Sequence, residues 1–136
     1  MWSDIESMEQ DIHDAALRGA MVLFRTGWAQ HWATQAYFDH PFLDVEIARR
    51  LVEMGVRLVG IDALSPDETH LEEQEGVPMD FGVHQVLLSA NVIIAENLTK
   101  LEDIQQGPWI ACMAPLKIAG GDGSPVRAFA WRDLNA

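Results

Sequence analysis

The sequence predicts an α/β fold, and three observations carry that expectation. Between Ala20 and Ile61 an apolar run, a helical stripe and a second apolar run follow one another, the order of a parallel strand–helix–strand crossover. From Gly82 to Ala95 a segment of helical period leads into another apolar run. At 136 residues, 49% hydrophobic and 22% charged, the chain has enough apolar material for one soluble domain with its own core, spanning residues 1–136.

Residues 4–18 open the chain with Ile5, Met8, Ile12, Ala15 and Ala16 at helical spacing, and Gly19 stops that helix as a C-terminal cap. Ala20 to Phe24 is a continuous apolar run, the pattern of a strand covered on both faces. After an aromatic-rich loop from Trp28 to Phe42, Asp44 caps a helix over residues 45–54, with Gly55 just past its end. Val56 to Ile61 reads as the second strand and stops at Asp62. Ser65 to Asp80, with two prolines and many acidic residues, reads as an exposed loop. A helix over 82–90, a strand over 92–95, a short helical turn over 98–104 and a strand over 109–114 follow. The Gly120-Gly121-Asp122-Gly123 cluster predicts a tight hairpin turn into a last strand over 126–131.

Nine Lys+Arg against twenty-one Asp+Glu give a formal charge of -12, which excludes a nucleic-acid partner, since phosphate backbones demand clustered basic charge. The single cysteine, Cys112, lies in an apolar run and has no intrachain disulfide partner, so a reducing cytoplasm is the expected compartment. The acidic N-terminus lacks the basic and apolar regions of a signal peptide, and no apolar run approaches membrane-spanning length; no membrane partner is expected.

The chemistry-bearing residues gather late in the chain. His84 on the third helix and Glu96 after the third strand, 12 positions apart, are two of the ligand types that zinc and manganese sites use. Plainer roles exist for both, a carbonyl-bound histidine and a solvated carboxylate. If Glu96 points inward, however, it needs a metal or a basic partner, because an unpaired buried charge is costly. Asp62 ends a buried strand, where open α/β sheets place ligand crevices. The plainer reading is that Asp62, Ser65 and Asp67 cap a turn. His13, His31, His40 and His70 show no ligand spacing, and no serine sits in a nucleophile elbow.

In order along the chain, Arg25-Thr26-Gly27-Trp28, Gly60-Ile61-Asp62-Ala63-Leu64-Ser65-Pro66-Asp67, His84, Glu96-Asn97-Leu98, Ala114-Pro115-Leu116-Lys117-Ile118 and Gly123-Ser124-Pro125-Val126-Arg127-Ala128 resemble the metal-dependent cyclase family, of the kynurenine formamidase and isatin hydrolase type. The resemblance implies a swivelling β/β/α domain whose N-terminal part lies outside these residues. It implies hydrolysis of a small aromatic or cyclic amide, arylformamidase-like, through zinc or manganese and an activated water. His84 and Glu96 correspond to two of the family's metal ligands, while Thr26, Trp28, Asp62, Ser65 and Asp67 shape and support the pocket. The family's His-X-Gly-Thr-His-X-Asp run, which carries further ligands and the acid/base histidine, has no counterpart in this sequence. The implied partners are a small-molecule amide and further copies of the chain in a homo-oligomer, with the Trp28–Phe42 loop as the surface a partner covers. The alternative is a non-catalytic, degenerate homologue acting as a binding or assembly module.

Overall fold

Parallel pairing needs long crossovers, and the short strands of this chain are separated by the helices that supply them. The computed structural model describes residues 1–70, 81–105 and 109–132. In order, the elements are α1 (Glu9–Ala16), β1 (Val22–Phe24), α2 (Val45–Glu53), β2 (Leu58–Ile61), α3 (Gly82–Ser89), β3 (Ile93–Ala95), β4 (Trp109–Pro115) and β5 (Val126–Arg132). The chain forms two compact units, Met1–Thr99 and Lys100–Ala136.

The first unit is a three-stranded parallel sheet in the order β1-β2-β3. Val22 pairs with Val59 and Val59 with Ile94, so these side chains share one face. Crossovers of one hand put both helices on the same side of such a sheet. Ile47, Ala48 and Leu51 of α2 meet Val83 and Leu87 of α3 and Val59 of the sheet in one buried cluster. Leu51 and Leu87 are wholly inaccessible to solvent. On the opposite face Gly60 leaves room for its neighbours. A Cβ there would stand 2.6 Å from Leu23 Cδ2 and 2.7 Å from Leu98 Cδ1.

Local chemistry places the helix ends. Asp44 accepts from the backbone N–H of Glu46 at 2.8 Å, capping α2. Gly55 adopts φ 81° past its C-terminus, a left-handed conformation that favours glycine. Gly19, at φ 76°, does the same after α1.

Several expectations are corrected. The first helix is α-helical only from Glu9; residues 2–4 and 6–8 are single 3-10 turns. The run at Ala20 yields only a three-residue strand, half-buried along its length because β1 lies at a sheet edge. The exposed loop expected over Ser65–Asp80 is buried at its start, at Pro66 and Asp67, because the Asp67 side chain turns inward onto backbone N–H groups, whereas Glu68 and His70 are exposed as expected. The remainder of that predicted loop, residues 71–80, lies outside the described residues.

The second unit is an antiparallel hairpin, β4 against β5, with Trp109 opposite Arg132 and Pro115 opposite Val126. Its strands are joined by residues 116–125, close to the connection that the expected strands over 109–114 and 126–131 leave around the glycine cluster. Ile110, Cys112, Phe129 and Trp131 fall on one face of the ribbon; the Phe129 and Trp131 rings stack 5.6 Å apart, and both remain about half exposed.

Candidate functional site

Asp62 stands directly after β2 and is 2% exposed. A carboxylate so placed must find donors, and it finds them at the end of β1. Its Oδ1 accepts from the Thr26 amide and hydroxyl, both at 2.7 Å, and its Oδ2 from the Gly27 amide at 2.9 Å. Gly27 takes φ 77° to present that amide. Trp28 continues the clamp: its amide donates to Thr26 Oγ1 at 3.1 Å and its indole N–H to the Ala36 carbonyl at 3.2 Å. Thr26, Trp28 and Asp62 are thus one cluster that ties the two strand ends together and shapes the loop beyond them.

Ser65, Asp67, His84 and Glu96 form the second cluster. Asp67 is 4% exposed and sits at the N-terminus of α3, where unpaired backbone donors favour an anion. Its Oδ1 accepts from Val83 N at 2.7 Å and its Oδ2 from His84 N at 3.0 Å. The same Oδ2 lies 2.6 Å from His84 Nδ1. An ionised carboxylate only accepts, so Nδ1 carries a proton; when the ring is neutral, Nε2 keeps its lone pair. That Nε2 points across 3.4 Å to Glu96 Oε1.

Glu96 follows β3 and is about one-third exposed. Burial pushes its carboxyl pKa upward; His84, a hydrogen bond from Ser65 and the more distant His40 oppose that rise, while Asp67 adds to it. Ser65 serves two sides of the turn, since its Oγ also accepts from the Asp67 amide at 3.1 Å.

A cleft of about 510 Å³ is lined by Trp32, Tyr37, Phe38, Leu64 and Asn97 among others, the last two being the chain neighbours of Ser65 and Glu96. Tyr37 is 4% exposed and donates its hydroxyl to Asn97 Oδ1 at 2.8 Å. Burial, then the charges of Asp62 and Glu96, push the Tyr37 pKa up, so the phenol stays protonated as that bond requires. Asn97 holds φ 56°, and its side-chain amide donates to the Leu64 carbonyl at 3.4 Å.

Sequence reasoning missed Tyr37 as a site-forming residue and set His40 aside. His40 is 6% exposed, with Nδ1 3.0 Å from the Pro41 carbonyl and Nε2 2.8 Å from Thr69 Oγ1. It braces the turn that bears Asp67 rather than facing the cleft. Only the Tyr-Phe pair within an aromatic-rich loop marked Tyr37, and no spacing marks either contact.

The donor set is the kind that zinc or manganese accepts, one imidazole nitrogen and one carboxylate oxygen. Two ligands at about 2.0–2.2 Å from a tetrahedral ion lie roughly 3.3–3.6 Å apart, and the His84–Glu96 separation of 3.4 Å falls inside that range. In number the set is incomplete: among the described residues no group of three or more His, Cys, Asp or Glu converges as a cation cage.

A family model described as Putative cyclase matches residues 1–68, half of the 136 residues. The chain belongs to the cyclase family. A kynurenine formamidase of Bacillus cytotoxicus is 34% identical to this cyclase-family chain over 131 residues, covering 92% of the chain and 58% of the relative. A kynurenine formamidase of Sphingopyxis alaskensis is 36% identical over 90 residues, 66% of this chain and 39% of the relative. Among solved structures, isatin hydrolase A from Ralstonia solanacearum superposes with TM-score 0.71 at 27% identity, over 85% of this chain and 46% of that one. A predicted metal-dependent hydrolase from Bacillus stearothermophilus superposes with TM-score 0.61 at 34% identity, over 81% of this chain and 48% of that one. This cyclase-family chain therefore spans about half the length of the relatives it matches. Among the described residues, no helix is long and apolar enough to cross a membrane.

Proposed function

We propose that this chain carries one side of a divalent-metal site, His84 Nε2 and Glu96, in a hydrolase that cleaves the amide bond of a small aromatic or cyclic substrate. One observation carries the reading. With Nδ1 protonated toward Asp67, the Nε2 lone pair and the Glu96 carboxylate are two acceptors facing each other across 3.4 Å. Two acceptors so placed repel unless a proton or a cation sits between them. Names borne by the relatives, kynurenine formamidase and predicted metal-dependent hydrolase, support the cation and the amide substrate.

A divalent ion held there would supply Lewis acidity toward a carbonyl oxygen and lower the pKa of water. The protein's own groups do the rest. His84 lies on α3 and Glu96 directly after β3, so their donor atoms come from two separate elements, each fixed by backbone hydrogen bonds. The Trp32, Tyr37 and Phe38 side of the cleft offers flat apolar surface for a substrate ring, and buried Tyr37 keeps Asn97 in place at its floor. A working site needs at least one more ligand than these two and a group to move the proton to the leaving nitrogen. In an assembled enzyme these come from further protein, another copy of the chain included.

Hydrolysis of an aryl formamide by the 136-residue protein loaded with zinc or manganese tests the reading. Turnover that disappears in His84→Ala and Glu96→Ala supports it. Binding of metal with no turnover in any assembly favours the non-catalytic homologue.

A further inference from the structure

We propose that the Ser65-Pro66-Asp67 turn is a single positioning device for both donors: Asp67 holds His84 as the Nδ1–H tautomer with Nε2 turned to Glu96, and Ser65 holds the Glu96 carboxylate. This rests on the reading of His84 and Glu96 as metal donors.

Asp67 is built to orient rather than only to cap. Helix capping uses the bonds to Val83 N and His84 N, but the shortest contact of the carboxylate, at 2.6 Å besides the 2.7 and 3.0 Å caps, is to the imidazole. Because one carboxylate grips both the His84 backbone and its ring, the ring plane is fixed relative to α3. An anionic acceptor on Nδ1 leaves only Nε2 to coordinate or to take a proton. Ser65 follows from a count of its hydrogens. Its Oγ accepts from the Asp67 amide at 3.1 Å, so its one O–H is left to donate to the Glu96 carboxylate, whose pKa Ser65 draws downward.

The turn itself is braced. Pro66 between the two residues is fully buried and has a fixed φ, and its carbonyl accepts from Leu43 N at 2.8 Å. Two residues on, Thr69 Oγ1 meets buried His40. Neither Ser65 nor Asp67 can shift without breaking one of these anchors, so a displacement of the turn would reach both donors together.

Nitrogen NMR of His84 in the metal-free chain, paired with zinc titration of the same proteins, tests this. The wild type should show Nδ1–H. Asp67→Asn keeps a carbonyl for the Val83 N–H cap but offers an amide N–H to the ring, so His84 should switch to Nε2–H and zinc affinity should fall by about 10–100-fold. Ser65→Ala should weaken zinc by a similar factor with the His84 tautomer unchanged, and Ser65→Thr, which keeps the hydroxyl, should restore it. An Nε2–H tautomer in the wild type, or the wild-type tautomer in folded Asp67→Asn, would overturn the role of Asp67. Wild-type zinc affinity in Ser65→Ala would overturn that of Ser65. A wild type that binds no zinc but shows the Asp67-dependent tautomer sinks the metal reading and leaves the Asp67 arm standing.

Discussion

Asp67 Oδ2 lies 2.6 Å from His84 Nδ1, and the other oxygen of the same carboxylate takes the Val83 amide at 2.7 Å. One buried side chain thereby starts a helix and aims the imidazole that the helix carries. The sheet makes this possible: β2 delivers Asp62 and the Ser65–Asp67 turn to the end of the strands where α3 begins and β3 ends.

Asp62 should be the costliest of the acidic residues to remove. Its loss leaves the amides of Thr26 and Gly27 and the Thr26 hydroxyl without their buried acceptor. Asp62→Ala is expected to destabilise the fold by about 2–4 kcal/mol, read as a lower urea midpoint with an unchanged slope.

Gly60 should resist any side chain. A Cβ there collides with the ends of Leu23 and Leu98, which are flexible enough to yield in part. Gly60→Ala is expected to cost about 1 kcal/mol and Gly60→Val about 3 kcal/mol, both checked by thermal unfolding.

At the junction of α2 and α3, Leu51→Ala should open a cavity where the residue now has no solvent contact. The expected loss is about 2–5 kcal/mol in denaturant unfolding. By contrast, Asp44→Ala removes only a helix cap on the surface and should cost about 1 kcal/mol.

These sites differ in how far the sequence announces them. The β1–α2–β2 crossover was legible because an apolar run, a stripe capped by Asp44 and stopped by Gly55, and a second run follow one another between Ala20 and Ile61, and each signal is local. The partners of Asp62 and Asp67 were not legible from residue type: Asp62 reaches back 36 positions to Thr26 and Asp67 forward 17 to His84. Only folding brings such pairs together, and turn capping and site support look alike in sequence. For Asp67 both descriptions hold at once. The hairpin strands and the length of their connection were both visible, in two apolar runs flanking a glycine-rich bend.

Stability should respond to pH through Glu96. Its folded pKa is raised, chiefly by burial, so the native state binds the proton more tightly than the unfolded chain. The sign follows: its contribution is favourable when the carboxyl is protonated and is lost as pH rises from the ordinary glutamate range through the raised folded value. Glu96→Gln, which mimics the neutral form, should therefore raise the Tm of the metal-free protein at pH 7 and leave it nearly unchanged at pH 4. A Tm gain that is equal at both pH values would contradict the assignment.

The central claim is that His84 and Glu96 face each other because a divalent ion belongs between them. Elemental analysis of zinc per chain after loading and desalting, with wild type, His84→Ala and Glu96→Ala compared at matched concentration, tests it most directly. A stoichiometric ion in the wild type that falls to background in both variants is the predicted result. Metal content near zero in the wild type, or equal in all three proteins, would contradict the claim.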